Sequence, residues 1–309
     1  MITYIIGHRK PDLDAVVAAI SVAAFRKLRG DTNPVAAITD PINPETEFVF
    51  KKFSVTPPPQ ITAANIEAED KVVLVDHNET DQRLEGLNES NITAVIDHHK
   101  VNLNLTNPIK IMVMPVGSTN TIVYLKFKQY GFQIEPQLAA IMLCAVLSDT
   151  VGLKSSTTTD KDKEAVDELA KIANVTDVNA LTFEIFKAKS NLSALTDEQI
   201  VKNDFKIFQF KSKTFIGQIE TVQQQVLLDS RKPQLLAAMQ EIKAAEGVDY
   251  LFLAVTDILN VNTKLLFNTP QEESLAVKAF GGTPLNNVLD IGPKMSRKKD
   301  IAPAIEKSF

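Results

Sequence analysis

Short apolar runs alternate with longer helical stretches along the first part of the chain. Ile2 to Ile6 reads as a buried strand, and the apolar stretch Ala15 to Phe25 as the helix that follows it. Pro34 to Thr39 reads as a second strand; Pro41 and Pro44 then break the chain, and Glu45 to Phe53 follows as a short helix. Thr56-Pro57-Pro58-Pro59 is a rigid extended connector. The runs Val72 to Val75, Thr93 to Ile96 and Ile109 to Met114 read as further strands, the last at an edge of the sheet. Helices are expected over Ile122 to Gln129, Glu135 to Leu147, Lys163 to Ile172 and Val178 to Ala188. This alternation predicts an α/β fold whose N-terminal domain is a doubly wound, mostly parallel sheet.

The pattern changes after Ala188. Residues 189–195 are polar and without periodicity, so they read as a linker between a domain at 1–188 and a second at 196–309. In the second, Phe205 to Phe210, Phe215 to Val222, Tyr250 to Thr256 and Val261 to Phe267 read as strands, with a helix at Gln234 to Ala245. A smaller mixed-sheet α/β domain is expected there.

The polar residues that matter cluster where the N-terminal strands end. The first strand runs into Gly7-His8-Arg9-Lys10-Pro11-Asp12-Leu13-Asp14, the third into Asp76-His77-Asn78, and the fourth into Asp97-His98-His99. In open α/β sheets, ligands bind at the carboxyl ends of the strands. All 4 histidines of the chain lie in these loops, beside aspartates, which chance packing of core histidines explains poorly. The apolar helix Glu135 to Leu147 ends in Ser148-Asp149-Thr150, where a lone aspartate, Asp149, closes it. A carboxylate at the negative end of a helix dipole is unfavourable unless a cation compensates it. The polar residues Ser118 to Thr121 are read as helix caps alone.

Pooled, Asp12, Asp14, Asp76, Asp97 and Asp149 with His8, His98 and His99 are too many ligands for one ion. Two divalent cations bridged by a shared aspartate would satisfy them, and such pairs activate water and polarise phosphoryl or acyl oxygens. Mixed oxygen and imidazole ligation without thiolates suits manganese, cobalt or iron(II). The alternatives are structural metal sites or solvated charged loops.

Composition narrows the rest. The chain has 309 residues, enough for two domains, with 44% hydrophobic and 23% charged residues and a net charge of −5. No long basic block points to nucleic acid, and no apolar run reaches the roughly 18 residues of a membrane span. The N-terminus enters a strand directly, so no signal peptide is expected. Cys144, the only cysteine, sits in an apolar helix and reads as a small buried hydrophobe. A cytoplasmic location is the expectation.

These motifs carry a family resemblance. Gly7-His8-x-x-Pro11-Asp12-x-Asp14, Asp76-His77-Asn78, Asp97-His98-His99 and Ser148-Asp149-Thr150 resemble, in order, the motifs of the DHH phosphoesterases. Ser296-Arg297-Lys298 near the C-terminus, in a second domain of this length, resembles the manganese-dependent (family II) inorganic pyrophosphatases, whose second domain is of the DHHA2 type. The resemblance implies hydrolysis of pyrophosphate to two phosphates at a two-metal site with a metal-bridging water or hydroxide as nucleophile. It implies that His8, Asp12 and Asp76 hold one metal, that Asp14, Asp76, His98 and Asp149 hold the other, and that Asp76 bridges them. His99, Lys206, Arg297 and Lys298 would hold phosphates, and His77 and Asp97 would orient ligands. Asp12, Asp76, His99, Lys206, Arg297 and Lys298 would thus be the catalytic set, with the second domain closing over the metals. The implied cofactor is Mn2+, two or more ions per subunit, with Co2+ or Mg2+ as substitutes. A homodimer formed through the N-terminal domain, with no nucleic-acid or membrane partner, completes the expectation.

One position departs from the pattern: Lys10 stands where the family commonly has Asn. A lysine there can pair with substrate phosphate, repel metal, or simply be solvated. The alternative activity is that of a short-chain exopolyphosphatase of the same superfamily. An oligonucleotide or cyclic-dinucleotide phosphodiesterase would carry a glycine-rich loop with histidine in its second domain; Phe280-Gly281-Gly282-Thr283 is the nearest approach, and no histidine follows His99. A non-enzymatic scaffold would be expected to have damaged ligands.

Overall fold

A computed structural model describes residues 1–190, 192 and 195–309. It divides into two compact units, Met1–Lys189 and Ser190–Phe309. The expected linker 189–195 lies partly outside the described residues, and its first residue, Lys189, is still helical.

In the first unit, β1 (Thr3–Ile6) leads into α1 (Leu13–Leu28), followed by β2 (Pro34–Ala37) and α2 (Pro44–Lys52). Next come β3 (Lys71–Val75), β4 (Ile92–Asp97) and β5 (Lys110–Val113). Four helices end the unit: α3 (Thr119–Tyr130), α4 (Pro136–Asp149), α5 (Asp160–Ile172) and α6 (Val178–Lys189). The strands form a 5-stranded sheet in the order β2-β1-β3-β4-β5. Every pairing in it is parallel. The order reverses direction between β1 and β3, and this crevice at the carboxyl ends of the strands is where doubly wound sheets bind ligands.

Burial explains the sequence pattern. β1 and β3 are almost continuously apolar because both faces of a parallel sheet are covered. On one face α1 packs against the sheet and α4 packs against α1, with Val16, Val17, Met142 and Val146 in one apolar cluster. Gly7 ends β1 where α1 passes close: a Cβ there would lie 2.8 Å from the Ala15 Cβ, so no larger residue fits.

In the second unit, α7 (Asp197–Val201) precedes β6 (Asp204–Gln209), β7 (Lys213–Thr221), α8 (Gln224–Glu246) and β8 (Tyr250–Asp257). β9 (Asn262–Leu266), α9 (Pro270–Phe280), β10 (Val288–Asp290) and α10 (Ala302–Glu306) complete it. The sheet order is β10-β9-β8-β7-β6, mixed because only β7 and β8 run parallel.

Two expectations need correction here. α8 begins at Gln224, not at Gln234, and runs through Pro233. Proline costs a helix one hydrogen bond, but Leu227 and Leu228 extend the apolar face of Leu235, Met239 and Ile242 into the same core, and that packing prevails. α9 was not expected, although Thr269 and Glu272 form a capping box around Pro270, a legible start signal.

In the first unit Asp162, fully buried at the start of α5, ties together segments near the strand ends. It accepts from the Gly117 N–H at 2.9 Å, from Thr121 Oγ1 at 2.6 Å, and from Thr159 through N and Oγ1, both at 2.7 Å. Removing it strands several buried donors, each worth about 1–3 kcal/mol. Asp162→Ala should therefore lower unfolding stability by about 3 kcal/mol or more, read as a drop in the urea midpoint at unchanged slope.

Candidate metal centre

The site is built from strand ends, one helix start and one helix end. His8 follows β1, and Asp12 caps α1, its Oδ1 accepting from Ala15 N at 3.0 Å. Asp14 lies in the first turn of that helix. Asp76 follows β3, His98 and His99 follow β4, and Asp149 ends α4. Among the described residues three groups of side chains emerge, each with ligand atoms within 4.8 Å of one another: His8, Asp12 and Asp76; Asp14, Asp76, His98 and Asp149; and Asp76, His98 and His99. Asp76 is common to all three. It is 1% exposed and sits at φ 62, a left-handed backbone that aspartate tolerates better than most residues.

The histidines are oriented from behind. His8 Nδ1 faces the Arg9 carbonyl oxygen at 2.8 Å, and His98 Nδ1 faces that of Val116 at 3.0 Å. A carbonyl only accepts, so Nδ1 carries the proton and Nε2 presents a lone pair to the cluster. His8 Nε2 lies 3.6 Å from both Asp12 Oδ1 and Asp76 Oδ2. His98 Nε2 lies 3.3 Å from both Asp76 Oδ1 and Asp149 Oδ2, yet it is buried and has no hydrogen-bond partner among the described residues. Lone pairs of nitrogen and carboxylate oxygen at this separation repel unless a cation or a proton lies between them. The donor set therefore fits divalent metal, with oxygen and imidazole and no sulfur.

Titration behaviour has the same cause. Burial, then the charges of Asp14 and Asp12, push the Asp76 carboxyl well above the ordinary range. Burial followed by Asp14 and Asp76 does the same to Asp149. Burial opposes the His98 imidazolium, but Asp14 and Asp149 outweigh it and raise the group. His8 is raised likewise, with burial opposed by its bond to Asp12. Asp12 falls to about 2 because His8 outweighs the cost of its burial.

The run Ser118-Thr119-Asn120 corrects an expectation. Ser118 does cap α3, accepting from Asn120 N at 3.0 Å. Its hydroxyl also donates to Asp14 Oδ1 at 2.5 Å, Thr119 N donates to Asp14 Oδ2 at 2.7 Å, and Asn120 Nδ2 donates to Asp14 Oδ1 at 2.7 Å. Thr119 Oγ1 donates to Asp76 Oδ1 at 2.9 Å. The start of α3 thus supplies donors to two of the candidate ligands. One polar residue would suffice as a cap; a run of such residues was the available signal.

His99 Nδ1 and Asp97 Oδ1 are 2.9 Å apart, and Asp97 Oδ2 accepts from Asn78 Nδ2 at 2.6 Å. Burial opposes the Asp97 anion, but these bonds hold it near 2. His77 Nδ1 faces the Val75 carbonyl at 2.9 Å, its ring packs edge-on to His8, and burial pushes it down to about 4. His77 therefore stays neutral and lies outside the ligand groups. Lys10 is exposed at φ 50, with its N–H donated to Asp40 Oδ2 at 2.8 Å. Asn adopts that backbone more readily than Lys. Lys206, Arg297 and Lys298 all belong to the second unit. Lys206 Nζ lies 5.4 Å from the Phe208 ring centroid. Arg297 opens a π-helical turn (Arg297–Ile301) and donates from Nη2 to Asp204 Oδ1 at 2.8 Å, while its buried Nη1 has no partner among the described residues.

A parallel sheet with aspartate and histidine loops at its switch point, followed by a separate mixed-sheet unit, defines a two-domain metallo-phosphoesterase class. The profile of the DHH family, N-terminal domain, matches residues 2–146, and that of the DHHA2 domain matches residues 183–308. A manganese-dependent inorganic pyrophosphatase of Methanocaldococcus jannaschii is 38% identical over 315 residues, covering 99% of this chain and 99% of its own. That of Methanothrix thermoacetophila is 37% identical over 309 residues, covering 99% and 98%. A crystal structure assigned to a family II inorganic pyrophosphatase of Methanococcus jannaschii superposes with a TM-score of 0.64 at 35% identity, over 100% of this chain and 99% of that one. An exopolyphosphatase-related protein of Bacteroides fragilis, TM-score 0.52 at 15% identity and covering 99% and 92%, shares the fold. The chain belongs to the manganese-dependent (family II) inorganic pyrophosphatases.

Without metal, Asp76 and Asp149 hold protons in the folded chain that the unfolded chain has released above its ordinary value of 3.8. Raised values mean stability that is complete below that value and lost as pH rises through the folded-state values. His8 and His98, raised from 6.5, act in the same direction at higher pH. The metal-free protein should therefore lose Tm between pH 5 and pH 8. Saturating Mn2+ should add more Tm at pH 8 than at pH 5, with protons released on binding. Thermal unfolding in chelator and in manganese checks this; a larger gain at pH 5 would contradict the electrostatic account.

Proposed function

We propose that the protein hydrolyses inorganic pyrophosphate to two phosphates at a centre of two divalent cations, with manganese the preferred metal. The observation that carries this reading is the convergence of the ligand groups on Asp76. Relatives of nearly full length that bear this activity in their names support it. His8, Asp12 and Asp76 would hold one ion, and Asp14, Asp76, His98 and Asp149 the other. Paired cations of this kind supply an activated water and polarise a phosphoryl oxygen.

The chain's own groups do the rest. Thr119 and Ser118 hold the Asp76 and Asp14 carboxylates in place by hydrogen bonds, and the Arg9 and Val116 carbonyls hold His8 and His98 with Nε2 inward. Asp97 fixes His99 through Nδ1, so the exposed His99 Nε2 can meet a phosphate oxygen and hold or give a proton there. Lys206, Arg297 and Lys298 supply cations for the remaining phosphate charge. Arg297 Nη2 is held by Asp204, and the buried Nη1 keeps N–H donors that Asp204 does not use.

The same reading includes a cytoplasmic homodimer formed through the first unit. The reduced, buried Cys144 suits such a compartment, and β5 offers an open sheet edge with Ile111 50% exposed.

The test is phosphate release from pyrophosphate, tripolyphosphate, a short oligonucleotide and cyclic di-AMP, each with manganese and with magnesium. Pyrophosphate with manganese should turn over fastest, whereas preference for tripolyphosphate would assign a short-chain polyphosphatase instead. Asp76→Asn should lose bound metal and nearly all hydrolysis while staying folded. Arg297→Ala should lower kcat/KM by about 100-fold or more, as for a lost transition-state donor, at unchanged metal affinity. An Arg297→Ala protein of parental efficiency would remove that residue from the site.

A further inference from the structure

Glu45 belongs to none of the ligand groups, yet it is only 1% exposed. It lies in the first turn of α2, a helix already capped by Asn43, whose Oδ1 accepts from Thr46 N at 2.8 Å. Ser148 Oγ donates to Glu45 Oε1. Lys189 Nζ donates to Ser148 Oγ at 3.1 Å and lies 3.4 Å from Glu45 Oε2, closing a ring of three side chains. The ring joins α2, the last turn of α4 and the final residue of α6.

Its placement is not explained by stability. Glu45 has left water while the Lys189 side chain stays 44% exposed, and a half-solvated partner does little more than offset the cost of burying the carboxylate. Burial pushes Glu45 upward, and the Lys189 ammonium and the Ser148 hydroxyl are what oppose it. Ser148 also departs from its neighbour's habit: Thr150 Oγ1 bonds back to its own helix at Val146 O, 2.6 Å away, whereas the Ser148 hydroxyl reaches sideways to α2. Ser148 directly precedes Asp149, whose carboxylate faces His98 Nε2 at 3.3 Å. Beyond Asp149 the backbone is strained, with Val151 at φ 51 and Leu153 at φ 65, so the end of α4 needs an external anchor to keep one geometry.

We propose that Glu45 and Lys189 are positioning residues for Asp149, acting through Ser148 to hold its carboxylate opposite His98. This rests on the reading of Asp149 as a metal ligand. A rival, purely electrostatic role makes a different forecast. Lys189 favours the Asp12 anion by its charge, and Glu45 and Asp12 repel. On charge alone, Lys189→Met would tighten cation binding and Glu45→Gln would loosen it. Positioning requires both to loosen it.

The experiment is calorimetric titration of Mn2+ into the metal-free parent, Glu45→Gln, Lys189→Met, the double variant and Lys189→Arg, with Tm and steady-state kinetics on the same samples. Each single change should weaken manganese binding by about 10- to 100-fold, the range for groups that orient a ligand. The double variant should be no weaker than the worse single one, since both break one ring. Lys189→Arg should recover most of the affinity. At saturating manganese, kcat should return toward the parent value with KM for pyrophosphate unchanged. Opposite shifts from the two single variants, or a lower Tm at parental manganese affinity, would overturn the proposal. Should a single variant misfold, the double variant, which leaves no buried charge unpaired, carries the same comparison. A parent that binds no manganese would remove the metal centre itself, and the proposal with it.

Discussion

The carboxylates of Asp12, Asp14, Asp76 and Asp149 converge in a space where Asp14 and Asp76 are almost wholly removed from water. Left alone they repel, which is why burial and neighbouring anions drive Asp76 and Asp149 toward their protonated forms. Much of the first unit is arranged to make that convergence tolerable. The N-terminal turn of α3 aims a backbone N–H, hydroxyls and an amide at Asp14 and Asp76. Two imidazoles stand with their lone pairs inward, which only makes sense around positive charge. The repulsion is therefore a stored demand for cations, and folding alone does not satisfy it.

Such a cluster needs a place where several chain segments end at one point. A parallel sheet of order β2-β1-β3-β4-β5 has one, where β1 and β3 lie side by side and their onward connections leave in opposite directions. β1 delivers His8 and Asp12, β3 delivers Asp76, and β4, next in order, delivers His98 and His99. The close approach of α1 at Gly7 brings Asp12 and Asp14 into the same space. Left-handed backbone at Lys10, Asp76, Val151 and Leu153 turns these short connections sharply enough to meet. The cost of each such residue is borne by the rigid strands and helices on either side.

The two units divide the chemistry by charge type. The first concentrates carboxylate and imidazole; the second has no histidine and carries Lys206, Arg297 and Lys298 on or beside its sheet. Anionic and cationic side chains built into one small loop would neutralise one another, and here each unit carries its own set. Arg297 illustrates the balance: Asp204 holds one edge of the guanidinium in place while Nη1 keeps its donor unspent.

Much of this was legible in the sequence. Apolar runs ending in Asp and His located the strands, the parallel sheet and the loops that carry the ligand groups, because a strand buried on both faces must be apolar and its end must return to polar surroundings. Histidine is scarce enough here that its confinement to those loops carried information. What the sequence left hidden was partnership across distance. Ser118, Thr119 and Asn120 read as caps because a cap is a local property, whereas their bonds to Asp14 and Asp76 join residues about a hundred and about forty positions apart. Glu45 looked like an ordinary residue at a helix start, and only the packing of α2, α4 and α6 brought it to Ser148 and Lys189. The same holds for α8, where Pro233 predicts a break that the buried leucines on both sides of it overrule. Local pattern determined which elements form and which residues stand at their ends; tertiary packing alone decided which polar groups face one another, because hydrogen-bond partners are chosen by proximity in space and not along the chain.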